Sequence, residues 1–350
     1  MGAIFTLLAV IALIILAYLG VEEAGLRQLF GVWVPYAAVV TFFVGFVWRI
    51  VDWARSPVPF SIPTTCGQQE TLPWIKANKI DNPCTPGAVV VRMALEVLLF
   101  RSLFRNTYLD ARPGPKIAYG ESKWLWLFAI LFHYTFLVTL IRHLRFFTLP
   151  VPSWLGFIEG LDGFLEVGMP IPVIGADVPI LYLSGVILGG AVTMLLLRRF
   201  ILPKVRYISL PADYFPLWLI LAIAATGILM RYFLKTDIVA VKELTMGLVG
   251  LHPVVPKSVG VIFFIHVFLV SVLFAYFPFS KLMHLGGVFL SPTRNLPNDS
   301  RAKRYVNPWN YPVKFHTYAA YEDDFREAMV EAGIPVDKQP EAAAEDGKEG

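Results

Sequence analysis

The sequence predicts an all-α membrane protein built on six transmembrane helices. Three observations carry that prediction. The 350-residue chain is 56% hydrophobic and only 16% charged, with a mean hydropathy of +0.61; a water-soluble domain has no interior large enough to hide so much apolar surface. Six apolar runs, 3–20, 30–51, 123–147, 179–199, 212–234 and 258–284, reach the roughly 20 residues that cross a bilayer. Lysine and arginine are concentrated on alternate connections between those runs.

The first run, AIFTLLAVIALIILAYLG, has the length of a secretory leader. It lacks a basic start and a small-x-small cleavage site, so it reads as a retained helix. With a short outer loop it makes up residues 1–29. Residues 30–290 form the membrane domain, and 291–350 form a tail. Between the second and third spans, the long segment 52–122 carries eight Lys/Arg. Within it, GAVVVRMALEVLLFRSLFR (87–105) sets Arg92, Glu96, Arg101 and Arg105 at helical spacing, the pattern of an amphipathic helix at a membrane surface. Segment 148–178 has no Lys or Arg but holds Glu159, Asp162, Glu166 and Asp177. Its stretch SWLGFIEGLDGFLEVG reads as a second interfacial helix. Arg198, Arg199, Lys204 and Arg206 follow the fourth span, and Arg294, Arg301, Lys303 and Arg304 lie in the tail. The excess of positive charge inside is satisfied by six spans in the cytoplasmic membrane with both termini cytoplasmic. In the tail, AYEDDFREAMVEAG reads as one short helix, and the end is polar.

The formal net charge of +4 is spread over membrane-flanking connections, which argues for a lipid environment and against nucleic acid. The two cysteines, Cys66 and Cys84, are too few for an iron–sulfur cluster of the chain's own.

The candidate chemistry lies in histidines. Of six in the chain, His133 and His143 fall in the third span and His266 and His284 in the sixth. On an ideal helix the first two are ~15 Å apart and the last two ~27 Å apart, the latter on one face after five whole turns. The two spans run in opposite directions, so His133 and His284 share the inner side, and His143 and His266 the outer. A single imidazole in a span is most simply a packed, hydrogen-bonded side chain. Four of them paired in depth suit two b haems, each iron held between two helices. Zinc would want four ligands at one depth, with carboxylate or thiolate among the common choices, and neither spans' sequence supplies them. Pro278 should kink the chain between His266 and His284.

Histidines ten apart on one span and eighteen apart on a later one resemble the membrane cytochrome b (gamma) subunit of respiratory nitrate reductase. The likeness covers the five spans from about 30 to 284, the first span being an addition to that five-helix dihaem core. The strings PFSIPTTCGQQETLPWIKANKIDNP, RMALEVLLFRSLFRNT and HLGGVFLSPTRNLPNDSRAKRYVNPW resemble the DsrM family, the cytochrome b subunits of the DsrMKJOP complex of sulfate-reducing microbes. That resemblance implies two haem b on His133, His284, His143 and His266, and menaquinone or menaquinol as redox substrate. It also implies a DsrK-like cytoplasmic iron–sulfur partner related to heterodisulfide reductase, with DsrJ-, DsrO- and DsrP-like subunits alongside and DsrC served indirectly. The nitrate reductase family's quinone-binding lysine has no counterpart between Lys123 and Lys204. The chain would then be the electron-transfer subunit of a menaquinol oxidoreductase, not catalytic alone on the sulfur substrate. The other readings are a gamma subunit of a different quinol-linked reductase, or a non-haem transporter with a histidine proton relay.

Further candidates are weaker. Arg142 and Arg145 flank His143 and suit anionic haem propionates. Glu159, Asp162 and Glu166 read most simply as a solvated acidic face; Glu159 and Asp162 also lie on the side where a quinol would release protons. Cys66, Arg294 and Trp309 lie in inner segments rich in Pro, Asn and aromatic residues, where a cytoplasmic partner would dock. Gly185, Gly189 and Gly190 read as a helix-packing seam, the alternative being room for a porphyrin edge.

Overall fold

A computed structural model describes residues 2–56, 78–104, 108–114, 116–120, 122–163, 182–298 and 316–338. In chain order its principal elements are α1 (Gly2–Glu23), α2 (Leu29–Ala54), α3 (Pro86–Leu99), β1 (Tyr108–Arg112), β2 (Lys116–Gly120), α4 (Lys123–Phe146) and α5 (Ser153–Asp162), then α6 (Leu183–Ile201), α7 (Pro211–Phe233), α8 (Ile238–Val249), α9 (Val261–Phe279) and α10 (Tyr318–Glu331). Among the described residues six helices are long and apolar enough to cross a membrane: α1, α2, α4, α6, α7 and α9. They are the six spans expected.

The spans pack in the sequence α4–α6–α7–α9–α2, with α1 laid against α7 and α9. Buried side chains hold this order. Val10 and Ala17 of α1, Phe30 of α2, Leu219 of α7, Leu244 of α8 and Phe264 and Leu269 of α9 share one core. Leu188 and Val192 of α6 meet Ile220 of α7 in a second, flanked by Phe132 and Phe136 of α4. The outward faces keep large apolar groups such as Phe5, Phe43 and Trp48 exposed, as lipid requires of a spanning helix.

The sixth apolar run is not one helix through 284. Its α-helical turns end at Tyr276, and Pro278 sits in a tight turn, Phe277–Phe279. Ser280 is then extended (φ −121°, ψ 175°), and its hydroxyl oxygen accepts the Leu282 N–H to start a new turn, Lys281–Met283, that leads to His284. Proline lacks the N–H that would continue the helix. The expected kink is therefore a full break, and the shared helical face assumed for His266 and His284 does not exist. Gly45 of α2 lets Pro278 approach, since a Cβ there would come within 2.7 Å of the proline ring.

The amphipathic helix is shorter than 87–105. Thr85 caps α3 by accepting the Ala88 N–H, and Pro86 fills its first turn. Phe100 then adopts a left-handed conformation (φ 50°), which ends the helix. Two end carbonyls find partners on α4: Trp126 Nε1 donates to Leu99 O (2.7 Å) and Tyr134 Oη to Leu98 O (2.8 Å). The polar stripe of α3 is covered rather than solvated. Arg92 is 7% exposed, and the Glu96 carboxylate receives Arg294 Nη1 at 2.9 Å and the Ser102 hydroxyl. Asn298 reinforces that cover by donating to Pro83 O through its N–H and to Asn82 Oδ1 through its side chain.

The antiparallel hairpin of β1 and β2 was not anticipated from the sequence. Its signal is Pro113–Gly114, with Gly114 at φ 85°, a turn pair in which proline presets one residue and glycine supplies positive φ. In the second interfacial segment the helix covers Ser153–Asp162; residues 164–181, which include Glu166, Asp177 and the start of the expected fourth span, lie outside the described residues. Gly185, Gly189 and Gly190 are no packing seam: a Cβ at any of them would meet nothing within 4 Å. α10 belongs to a separate unit. In it Thr317 caps the helix, and Glu322 accepts the backbone N–H groups of Asp337 (2.7 Å) and Lys338 (2.9 Å), folding the chain back.

Candidate functional site

The four span histidines come together as two pairs. His133, mid-way along α4, meets His284 on the turn after α9, with ring centres 5.9 Å apart and planes crossing at 86°. His143, at the far end of the same helix, meets His266 near the start of α9, with centres 6.4 Å apart and planes within 11°. The broken helix places His284 where a continuous one could not.

Every one of the four has its Nδ1 engaged. His133 donates to Ala129 O (2.7 Å) and His143 to Thr139 O (2.6 Å), each the carbonyl four residues back in α4. His284 donates to Lys281 O (2.9 Å). His266 Nδ1 lies 2.9 Å from Thr226 Oγ1; with the hydroxyl hydrogen on Ala222 O (2.9 Å) or Ile223 O (3.0 Å), as on other helix threonines, the oxygen accepts from the ring. With the proton on Nδ1, each neutral imidazole keeps its lone pair on Nε2. Paired rings in this state cannot hydrogen-bond to each other, because neither has an N–H left to give.

This is the setting of metal-ligating histidines, whose second nitrogen is fixed by a neighbour. The spacing agrees. With metal–imidazole bonds of about 2 Å, two rings on opposite sides of one ion have centres roughly 6 Å apart. The surroundings are apolar. Phe100 and Phe132 each pack edge-on against His133 at 4.9 Å. Gly227 of α7 faces the His266 ring, which a Cβ there would meet in ordinary contact at 3.5 Å. Both pairs can thus hold a haem iron between them, and the open strip along Gly185 and Gly189 is free of side-chain bulk.

The charged candidates beside His143 neutralise one another. Arg142 Nη1 donates to Asp162 Oδ2 (2.5 Å), and Asp162 also accepts the Ser184 N–H (2.7 Å) and hydroxyl (2.6 Å). Arg145 pairs with Glu159 at 2.7 Å. The two arginines expected to meet propionates and the two carboxylates expected to await protons are thus partners. Asp162, with a side chain 5% exposed, is no part of a solvated acidic face. Sequence reasoning passed over Tyr182, Arg231, Thr226 and Phe100. Arg142 lies 3.3 Å and Arg231 3.9 Å from the centre of the Tyr182 ring, too close for both to occupy one face, so the ring is sandwiched. Of the docking candidates, Arg294 is committed to Glu96, while Cys66 and Trp309 lie outside the described residues. Cys84 is half-buried just before α3.

The model of the family described as nitrate reductase gamma subunit matches residues 117–298. That stretch runs from β2 to Asn298 and contains all four paired histidines. A protein of Archaeoglobus fulgidus named as an Hdr-like menaquinol oxidoreductase cytochrome b-like subunit is 48% identical over 291 residues, covering 81% of this chain and 83% of that relative. A protein of the same name from Archaeoglobus profundus is 45% identical over 282 residues, covering 79% of this chain and 81% of that relative. With six spans, a core built on α4 to α9 and a match across more than half its length, the chain belongs to the nitrate reductase gamma subunit family of multi-pass membrane cytochrome b proteins.

Proposed function

We propose that this chain is the dihaem cytochrome b subunit of a menaquinol-linked oxidoreductase. In this reading His133 and His284 ligate one haem b, and His143 and His266 ligate the other. The carrying observation is that all four imidazoles commit their N–H groups and meet in pairs at ligand spacing. Haem in both places supplies one-electron transfer at two depths of the membrane. The chain's own part is to fix each ring's tautomer, to separate the pairs along α4, and to exclude water with Phe100 and Phe132.

With both termini cytoplasmic, the His133–His284 pair is the inner one and His143–His266 the outer. The excess of Lys/Arg on 52–122, 198–206 and 294–304 supports that orientation. Menaquinol chemistry then belongs at the outer end. Glu159 is the proton acceptor there, because it is more exposed than Asp162 and has the single ion pair to release. On the inner face the partner is a DsrK-like iron–sulfur subunit. The printed name of both relatives, Hdr-like menaquinol oxidoreductase, supports a heterodisulfide-reductase-like partner. DsrJ-, DsrO- and DsrP-like subunits, service to DsrC, and a place in sulfate or sulfite respiration rest on the quoted strings shared with the DsrM family. Cys66, Trp309 and the cover formed by residues 291–298 are the docking candidates.

The test is a dithionite-reduced minus oxidised spectrum of the purified chain, with pyridine haemochrome quantitation. About two b haems per chain are expected. A folded, freshly isolated chain with no haem overturns the reading.

A further inference from the structure

The cluster around Tyr182 carries more positive than negative charge. Arg142 and Arg231 sit on opposite faces of the ring, and the single carboxylate in contact, Asp162, is bonded to Arg142. The neighbouring Arg145 is matched by Glu159. Among the described residues Arg231 has no carboxylate, and its buried Nε has no hydrogen-bond partner. An arginine at the end of a span ordinarily extends its head to water. Arg231 instead turns in, against an aromatic ring that already carries a second guanidinium. Two like charges so close, at membrane depth, call for a second anion.

Position says which anion. Gly227, which faces the His266 ring, lies four residues before Arg231 on α7. The backbone positions of Gly227 and Arg231 are thus about one helical turn apart, a rise of ~6 Å. Arg142 precedes His143 directly. The cluster thus borders the His143–His266 pair from α4 and α7, on the side where α6 begins. We propose that Arg231 anchors a carboxylate of the cofactor held by that pair, a haem propionate, with Tyr182 and Arg142 fixing the guanidinium in place. The inference rests on the haem reading above and assigns Arg231 the role first expected of Arg142 and Arg145, whose charges are already spent on Asp162 and Glu159.

The experiment compares full-length wild type, Arg231→Gln and Arg231→Lys, purified in one detergent. Each haem is titrated potentiometrically by visible absorption, haem loss to excess apomyoglobin is timed, and copurified phospholipid phosphorus is measured. A cation beside a haem favours the reduced state, which carries one positive charge fewer. Arg231→Gln should therefore lower the midpoint potential of one haem, the one that His143→Ala removes, and speed its loss, leaving the other unmoved. Arg231→Lys keeps the charge without the fork and should shift the potential less; it decides the matter should the glutamine variant fail to fold. Unchanged potential and retention with less bound phosphorus would mean that the anion is a lipid phosphate. Unchanged values throughout would mean that Arg231 only stacks. Either result overturns the proposal and leaves the haem reading standing, whereas a haem-free wild type removes both.

Discussion

The imidazole planes of His143 and His266 lie within 11° of parallel. Those of His133, on the same α4 as His143, and His284 cross at 86°. The orientation of each ring follows from what fixes its Nδ1: a helix carbonyl on α4, a threonine hydroxyl on α7, or a turn carbonyl at Lys281.

That difference is measurable. Axial rings at right angles leave two iron orbitals nearly equal in energy, and a low-spin ferric signal becomes strongly anisotropic. Parallel rings split those orbitals and give an ordinary rhombic signal. The oxidised chain should show one signal of each kind by electron paramagnetic resonance. His133→Ala or His284→Ala should abolish the anisotropic one, and His143→Ala or His266→Ala the rhombic one. Loss of the same signal in His143→Ala and His284→Ala would mean that the pairs are wrongly drawn.

Thr226 holds the proton of His266 in place. Thr226→Val keeps the shape and removes the acceptor, so the ring is free to rotate or change tautomer. Partners of this kind are worth about 10–100-fold in metal affinity. Haem at the His143–His266 pair should be released that much more readily, while Thr226→Ser should behave as wild type. Equal release rates in the valine variant would show that the hydroxyl serves α7 alone.

Asp162 should matter more to stability than to turnover. Its side chain is 5% exposed and bonds Arg142 and Ser184. Asp162→Asn leaves a buried guanidinium without its counter-charge, which costs about 3–5 kcal/mol in comparable pairs. The melting temperature in detergent should fall clearly. Removing both charges, as Arg142→Met with Asp162→Leu, should restore part of the loss. If the single asparagine variant melts with wild type, the pair is ornamental.

The unit containing α10 should open in acid. Backbone N–H groups of Asp337 and then Lys338 hold the Glu322 carboxyl below its ordinary value. A depressed carboxylate contributes stability above its unfolded-state pKa, and that contribution disappears as the pH falls through the folded value. Amide protection of residues 318–338 in the full chain, taken relative to the intrinsic exchange rate at each pH, should therefore be high at neutral pH and fall below the ordinary glutamate range. Glu322→Gln should show low protection at both. An acid profile unchanged by that substitution would assign the opening to other carboxylates.

Spans and histidine pairs were legible in the sequence because both depend on one-dimensional quantities: the length of an apolar run and the depth of a residue along it. What escaped depends on lateral contacts. Arg142 and Asp162 are separated by a connection that gives no hint of their meeting, so each was assigned to an outside partner. Arg231 and Tyr182 lie on different spans, and only the packing of α6 against α7 joins them. Thr226 resembles any polar residue bonding its own helix, and its service to His266 needs α9 beside α7. The break at Ser280 was half visible through Pro278, but nothing local says that the chain restarts as a turn. The hairpin at Pro113–Gly114 carried a signal that was missed beside the stronger apolar ones.

The break at Ser280 also divides the two pairs by what positions them. His143 and His266 are both borne by long continuous helices, so their separation follows the packing of whole spans. His284 rides on a short turn beyond the end of α9, tethered through Ser280 and followed directly by the segment whose Arg294 and Asn298 grip α3 and the chain just before it. Pro278, wedged against Gly45, marks where the two constraints meet. The packing of spans sets one pair, and a turn joined to the segment that covers α3 sets the other.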